Sequence, residues 1–130
     1  MVLRIQPEYS GAALSIVQPM VERGLKRSIG LTLESIAYNL RRDLMQMWLA
    51  FGSGVEAVAL TEISEEPTGK VCIISLLSGN NRARWFGHLE EIEKFARNEN
   101  CKAMRIYGRK GWTRLLPSWR VPQVILERTL

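Results

Sequence analysis

Cysteine and histidine are scarce in this chain of 130 residues, which holds two cysteines and one histidine. Cys72 and Cys101 form no C-x-x-C pair and no histidine cluster accompanies them, so the sequence predicts no metal site. In a reducing compartment we interpret both cysteines as small core residues, with a disulfide as the weaker alternative. The single histidine, His88, has no evident partner that could orient it as a catalytic base, and we interpret it as a surface residue.

Long apolar runs, repeats and low-complexity segments are also missing. No stretch approaches the ~20 apolar residues of a membrane span, and the N-terminus lacks the apolar core of a signal peptide, so we expect the protein to begin its life in a cytosol. Apolar residues make up 46% of the chain and charged residues 24%, as in ordinary globular proteins. The length predicts one domain over residues 1–130, large enough to bury a core without disulfides or metal.

Acidic residues are nearly absent from the C-terminal part. Between Lys102 and Leu130 there are seven lysines or arginines and one glutamate, so this segment carries +6 while the first 101 residues sum to −1. A basic surface can meet nucleic acid, an acidic protein or a polyphosphate such as CoA. A solvated basic face without a dedicated partner is the alternative.

Hydrophobic periodicity predicts the first half of the element order as β-α-α-β-β-β. A short strand at VLRI precedes a helix that Ser10 caps and that Pro19 should kink or split, and Thr32 caps a second helix. Two alternating runs and a third, continuously apolar run then predict an antiparallel meander. The third run, KVCIISLL, is so continuously apolar that we expect a strand buried on both faces.

The second half of the chain continues the order as α-β-α-β. An amphipathic helix carries the charge pairs Glu90–Lys94 and Glu93–Arg97 at i,i+4 spacing, and it should cross over to a parallel strand at CKAMRIY. A short helix at RKGWTRLL follows and is stopped by Pro117. The closing run QVILERTL is predicted to be the last strand of the sheet.

The complete order β-α-α-β-β-β-α-β-α-β resembles the GNAT fold, the Gcn5-related N-acetyltransferase architecture, an α/β (α+β) fold with a mixed central sheet. The resemblance covers essentially the whole chain and rests on the element order, the opening LRIQPEY and the central meander. More narrowly, the segments MQMWLAFGSGVEAVALTEI, GRKGW and VILERTL look like small proteins of tailed bacteriophages and prophages that are similar to acetyltransferases in fold. That likeness implies the cytoplasm of a bacterial host, with incorporation into the virion left open.

The loop after the fourth strand decides what the resemblance implies for cofactor binding. In the GNAT family it reads Q/R-x-x-G-x-G/A, and its amides hold the pyrophosphate of acetyl-CoA. Here Arg82 would take the leading basic position and Gly87 the last glycine, but Trp85 stands at the middle glycine, where an indole would block the phosphate. Gly79, in another register, and Arg84 complete the candidate cofactor-binding set. Both arginines could clamp a phosphate, or could be solvent-exposed loop residues.

The family's proton donor is often a tyrosine of the last helix, in a segment resembling Y-x-x-x-G-F. Aligning LPSW with that ending leaves no tyrosine at or next to the position of the proton donor. The family's carboxylate base lies on the central strands, where Glu56 and Glu62 are available, although strand glutamates are more often solvated. The sequence therefore assigns no catalytic residue.

A second candidate site combines Trp112 and Trp119 with the interleaved cations Arg109, Lys110 and Arg114. Tryptophan and arginine are concentrated in protein interfaces, and they also suit single-stranded nucleic acid, whose bases stack on rings. The alternative is that both tryptophans close the core under the last helix.

The altered loop and the missing tyrosine favour a non-catalytic phage protein that needs no cofactor. It would use a GNAT-like scaffold as a virion-assembly or protein-interaction module, binding other phage proteins or a second copy of itself. The alternative is an acetyl-CoA-dependent N-acetyltransferase with an atypical pyrophosphate loop. Nucleic-acid binding through the basic segment is a third, weaker hypothesis, and no membrane association is expected.

Overall fold

The computed structural model describes residues 1–80, 89–108 and 110–130. Its strands are β1 (Val2–Ile5), β2 (Gln46–Phe51), β3 (Val55–Glu66), β4 (Gly69–Gly79) and β5 (Ala103–Ile106). Its helices are α1 (Ser10–Leu25), preceded by a 3-10 turn at Pro7–Tyr9, then α2 (Leu33–Arg41), α3 (Leu89–Asn98) and the one-turn α4 (Trp112–Leu115). In the described residues no helix is long and apolar enough to cross a membrane.

The five strands form one mixed sheet in the order β1-β2-β3-β4-β5. Strands β1 to β4 pair antiparallel, and β5 joins β4 in parallel after the crossover through α3. The predicted meander of β2, β3 and β4 is therefore confirmed. The expectation for the third strand is confirmed too, because every residue from 71 to 76 is buried.

Helices α1 and α2 cover one face of the sheet, which we call the helix-pair face. Val21 of α1 and Ile36 of α2 are fully buried there against Met47, Leu60 and Leu76 of the central strands. The other face, the α3 face, is covered by α3. The buried residues of the α3 face form a second core cluster: Trp48, Ala59, Cys72, Ile92 and Ala96.

Local signals explain where the first two helices begin. Thr32 caps α2 as predicted, with its Oγ1 accepting from the Ser35 amide at 3.0 Å while the Ser35 hydroxyl accepts from the Thr32 amide at 3.0 Å. Ser10 is the first residue of α1 and not its cap, because its hydroxyl donates to the Pro7 carbonyl at 2.8 Å within the preceding 3-10 turn. Pro19 lies inside α1, which is not split there and continues to Leu25.

Charge pairs on α3 follow the predicted spacing in part. Arg97 bonds Glu93 at 2.7 Å across one helical turn, as expected. Lys94 pairs with Glu91 at 3.3 Å and not with Glu90, because i,i+3 and i,i+4 neighbours lie on the same side of a helix.

The closing strand predicted at QVILERTL is wrong within this chain. Residues 119–130 form no helix or strand, and residues 120–130 are all exposed. The chain passes from Trp112 near the end of β5 to Trp119 beside the start of β5, and among the described residues no backbone hydrogen bond joins residues 120–130 to β5.

Candidate active site

The pairing of β5 with β4 stops halfway along β4, and we call this point the divergence of the two strands. Their parallel pairing runs from Val71 opposite Ala103 to Ile74 opposite Ile106, and the Tyr107 amide donates the last bond to the Ile74 carbonyl at 3.1 Å. In the described residues the rest of β4 pairs with β3 alone. Beyond Ile74 one edge of β4 therefore has no partner strand in the described residues, and we call this unpaired stretch of edge the opening.

A β-bulge marks the point of divergence. Leu60 pairs with Leu76 and Thr61 with Ile74, so Ser75 is the extra residue of β4. Ser75 is only 6% exposed, and its buried hydroxyl has no hydrogen-bond partner in the described part of the chain. Buried hydroxyls are normally bonded, and an unsatisfied one costs about 1–3 kcal/mol. A polar group that could bond a ligand is therefore held at the start of the opening.

A row of three ionisable side chains lies beside this bulge on the helix-pair face: Glu62, Arg105 and Tyr107. Ile73 pairs with Glu62 of β3 on one side and with Arg105 of β5 on the other, and paired residues project to the same face of a sheet. Tyr107 lies two residues beyond Arg105 and interacts with it. Glu62 is half-buried, whereas Tyr107 is 54% exposed. A carboxylate and a phenol thus flank the divergence two strands apart.

An ion pair fixes the middle member of this row. Arg105 donates two bonds to the Glu66 carboxylate, at 2.6 and 3.0 Å. Hydrogen bonding to Glu66 is the main cause that raises the pKa of Arg105, and the same bonds lower the pKa of Glu66. The guanidinium therefore stays charged and in place next to Tyr107.

Gly79 ends β4 where the predicted pyrophosphate loop begins. A Cβ built on Gly79 would lie against the carbonyl oxygen of Glu56 and 2.6 Å from Cα and Cβ of Ala57. The Asn80 amide also bonds the Glu56 carbonyl, at 2.8 Å. Close packing on β3 accounts for a glycine here, so its role in cofactor binding stays a prediction.

The other predicted cofactor contacts, Arg82, Arg84 and Gly87, lie outside the described residues, as do Trp85 and His88. The described part of α3 carries Glu90 and Glu91 in its first turn. Because carboxylates repel a diphosphate, cations from outside α3 would have to balance them.

Trp112, predicted as a partner contact, packs against the domain. It is partly buried against a small cluster on the α3 face formed by Ala50 and Ala57. A Cβ on Gly108 would lie 2.7 Å from the indole nitrogen, so the ring sits close over the chain at the end of β5. This packing favours the core interpretation of Trp112.

Trp119 is also partly buried and lines a cleft of about 220 Å³ between α3 and the start of β5, with Arg97, Lys102 and Met104 among the other lining residues. The cations predicted beside the tryptophans are not gathered into this cleft. Lys110 and Arg114 are exposed, and Arg109 lies outside the described residues. A partner-binding role for this set stays a prediction.

No protein-family model and no curated protein matches the chain. Solved structures do share its fold. A predicted acetyltransferase from Clostridium acetobutylicum, solved with acetyl-CoA, has a TM-score of 0.70 and 14% identity and covers 99% of this chain and 95% of its own. An aminoglycoside acetyltransferase from an uncultured soil metagenomic sample, solved with trehalose, has a TM-score of 0.71 and 11% identity over 100% and 95%. The ribosomal-protein-alanine N-acetyltransferase of Brucella melitensis has a TM-score of 0.71 and 6% identity over 100% and 99%.

The chain therefore has the GNAT-like acyltransferase fold, as the element order predicted. The preference for a non-catalytic interaction module without a cofactor is contradicted, because several solved structures that share this fold are acetyltransferases and one of them holds acetyl-CoA. The acetyltransferase alternative fits these findings better.

Sequence reasoning overlooked two residues of the candidate site. Ser75 is the one polar residue in the apolar run VCIISLL, and an isolated hydroxyl in a buried strand is a signal that could have been used. Tyr107 ends the predicted strand CKAMRIY, whereas the family motif places the tyrosine in the last helix. In the described residues no group of acidic, histidine or cysteine side chains could hold a metal.

Proposed function

We propose that this protein is an acetyl-CoA-dependent N-acetyltransferase with an atypical pyrophosphate loop. The observation that carries the proposal is the divergence of β4 and β5 at a bulge with a buried, unbonded hydroxyl. The likeness of the whole chain to acetyltransferases supports it. Kinship with bacteriophage proteins stays a prediction and plays no part in this proposal.

The opening between the strands fits the acyl-carrying arm of the coenzyme. That arm is a linear chain with amide groups, and such a chain can bond the edge of a strand as an added peptide strand does. The edge of β4 from Ser75 to Gly79 would hold it, and the Ser75 hydroxyl would bond an amide or thioester oxygen. We propose that Arg82 and Arg84 bind the phosphate groups of acetyl-CoA.

The row of side chains on the helix-pair face can move the two protons of acetyl transfer. Acetyl-CoA would supply an acetyl group activated as a thioester. The Glu62 carboxylate accepts the proton of the acceptor ammonium, so that the amine nitrogen can bond the acetyl carbon. The Tyr107 phenol would donate its proton to the sulfur as the carbon–sulfur bond breaks, and Arg105 keeps the phenol in place. The nitrogen of the new amide would then give its second proton to the phenolate, directly or through water, which restores the phenol.

Thermal unfolding with added acetyl-CoA tests the binding step. Ligand at about a hundred times its Kd adds ~2.7 kcal/mol, which raises the Tm of a domain of this size by several degrees. Ser75→Ala should weaken acetyl-CoA binding about tenfold because one hydrogen bond is lost. The same variant should not lower the stability of the free protein, because the hydroxyl bonds nothing there. Absence of any shift at millimolar acetyl-CoA would refute the proposal.

The acetyl-transfer step is tested by measuring how fast CoA thiol is released in the presence of each of a panel of acceptor amines. Tyr107→Phe should lower kcat roughly 10²-fold without weakening acetyl-CoA binding, since only proton donation is lost. Tyr9→Phe is the matched control, because Tyr9 is 64% exposed in the turn before α1, remote in sequence from the row. Equal rates for Tyr107→Phe and the control would remove Tyr107 from the mechanism and leave the binding result untouched.

A further inference from the structure

Glu66 is the last residue of β3, four residues along the strand from the proposed base Glu62. Its carboxylate accepts bonds from Arg105 at 2.6 and 3.0 Å, so the guanidinium is held through both of its terminal nitrogens. The Glu66 side chain is 27% exposed and the Arg105 side chain 34%, so water competes only in part for these bonds. Glu66 therefore fixes a member of the row without belonging to the row.

Arg105 passes this constraint on to Tyr107. The two residues lie two apart along the extended chain that pairs with β4, so their side chains project to the same face of the sheet. Hydrogen bonding to Glu66 and, as a smaller cause, hydrogen bonding to Tyr107 raise the pKa of Arg105, so the guanidinium contacts both groups. A guanidinium that donates to a phenol oxygen holds the ring and stabilises the phenolate left after proton donation. The contacts thus run from the β3–β4 turn to the proposed acid.

The β3–β4 turn is also held by contacts other than this ion pair. Glu66 pairs with Gly69 in the antiparallel ladder of the two strands. The Lys102 ammonium, at the start of β5, donates to the Thr68 hydroxyl of the turn at 2.6 Å. An arginine side chain without a partner gains rotamer entropy by turning into solvent. Because the turn has its own bonds, the main effect of the carboxylate is to keep Arg105 in one orientation.

We propose that Glu66 is a positioning residue for acetyl transfer, which holds Arg105 and through it the Tyr107 phenol beside the divergence of β4 and β5. The inference rests on the proposed function. Because Glu66 acts only through the phenol, its removal can cost at most the roughly 10²-fold in kcat that loss of the phenol costs. We expect a loss of roughly tenfold, since Arg105 keeps its charge and its place in β5 and loses only its orientation.

Release of CoA thiol by Glu66→Gln, with one acceptor amine and varied acetyl-CoA, tests this role. kcat should fall roughly tenfold while the KM for acetyl-CoA stays unchanged, because the acid is disturbed and the cofactor edge of β4 is not. Glu65→Gln is the matched control, since it removes the same charge from the preceding residue, which is exposed and projects to the opposite face. The control should keep the wild-type kcat. Equal kcat values for the two variants would overturn the proposal.

A double-mutant cycle with Tyr107→Phe separates positioning from a general loss of structure. If Glu66 acts through the phenol, Glu66→Gln lowers kcat in the wild type and changes it little in the Tyr107→Phe background. A similar loss in both backgrounds would mean that the ion pair supports the sheet as a whole, and the positioning role would be wrong. A wild-type rate for Tyr107→Phe would remove the acid itself, and no acetyl transfer by the wild type would refute the proposed function. The inference falls in both of these cases, for a reason that the cycle identifies.

Discussion

Replacing Gly79 by alanine should destabilise the sheet at the end nearest the candidate active site. The new Cβ would lie against the Glu56 carbonyl oxygen and 2.6 Å from two carbons of Ala57, all of them in the paired strand β3. Because most of these atoms belong to the backbone, no side-chain rotation can relieve the overlap. Strands β3 and β4 must move apart, which strains the bond from the Asn80 amide to the same carbonyl.

The size of the effect follows from overpacking. Extra atoms forced into a packed site cost about 1–3 kcal/mol. A domain of this length loses ~3–5 °C of Tm per kcal/mol, so the variant should melt roughly 3–15 °C below the wild type. The matched control is Gly11→Ala in α1, where a Cβ meets nothing within 4 Å. Alanine is the better helix former by up to ~1 kcal/mol, so this control should melt at or above the wild-type temperature.

Differential scanning calorimetry of the two variants provides the measurement, and acetyl-CoA titration separates two reasons for the glycine. If Gly79 exists for close strand packing, stability falls as calculated. If it exists only to let a phosphate approach, Gly79→Ala keeps the wild-type Tm and loses acetyl-CoA binding. An unchanged Tm would therefore refute the steric argument.

Three further outcomes are expected. Thr61→Val removes the acceptor of the Trp48 indole N–H, a buried bond of 3.0 Å, and should cost about 1–3 kcal/mol in chemical denaturation. Burial raises the pKa of Cys72 to about 12 and also raises the pKa of Cys101. Iodoacetamide at mildly alkaline pH should therefore modify Cys101 slowly and Cys72 only on unfolding, which mass spectrometry can measure. The hydrogen bonds from Arg105 lower the pKa of Glu66 below its ordinary value of 4.5. The ion pair therefore stabilises the folded protein above pH 4.5, and this stabilisation is lost as the pH falls through the lowered pKa. Glu66→Gln should make the free energy of unfolding fall less steeply in acid.

The sequence predicted the central sheet because its signals are local. Alternation in β2 and β3 and the continuous apolar run of β4 each reflect which faces of one strand are buried. Thr32 predicted the start of α2 for the same reason, since a cap depends on residues three apart. Element order then sufficed for the fold.

The candidate site could not be predicted because it depends on register. Whether Ser75 is an extra residue or a paired one is decided by how β3 aligns with β4, which leaves no mark in composition. The row of Glu62, Arg105 and Tyr107 likewise exists only because β3 and β5 align with the same residue of β4. Comparison with the family motif at single positions led to the prediction that Trp85 blocks cofactor binding. The unpaired edge of β4 is a backbone feature, however, and one side chain does not remove it.

The failed prediction at the C-terminus has a different origin. A run of apolar residues with strand-forming side chains indicates that a segment will be paired and covered, but it does not indicate which chain supplies the partner. In QVILERTL the preference for a strand is strong, and the single chain leaves it unpaired beside an edge that is also unpaired. Natural sequences are expected to be consistent across these levels, so a strong local preference that the tertiary structure leaves unpaired is the least consistent feature of this fold.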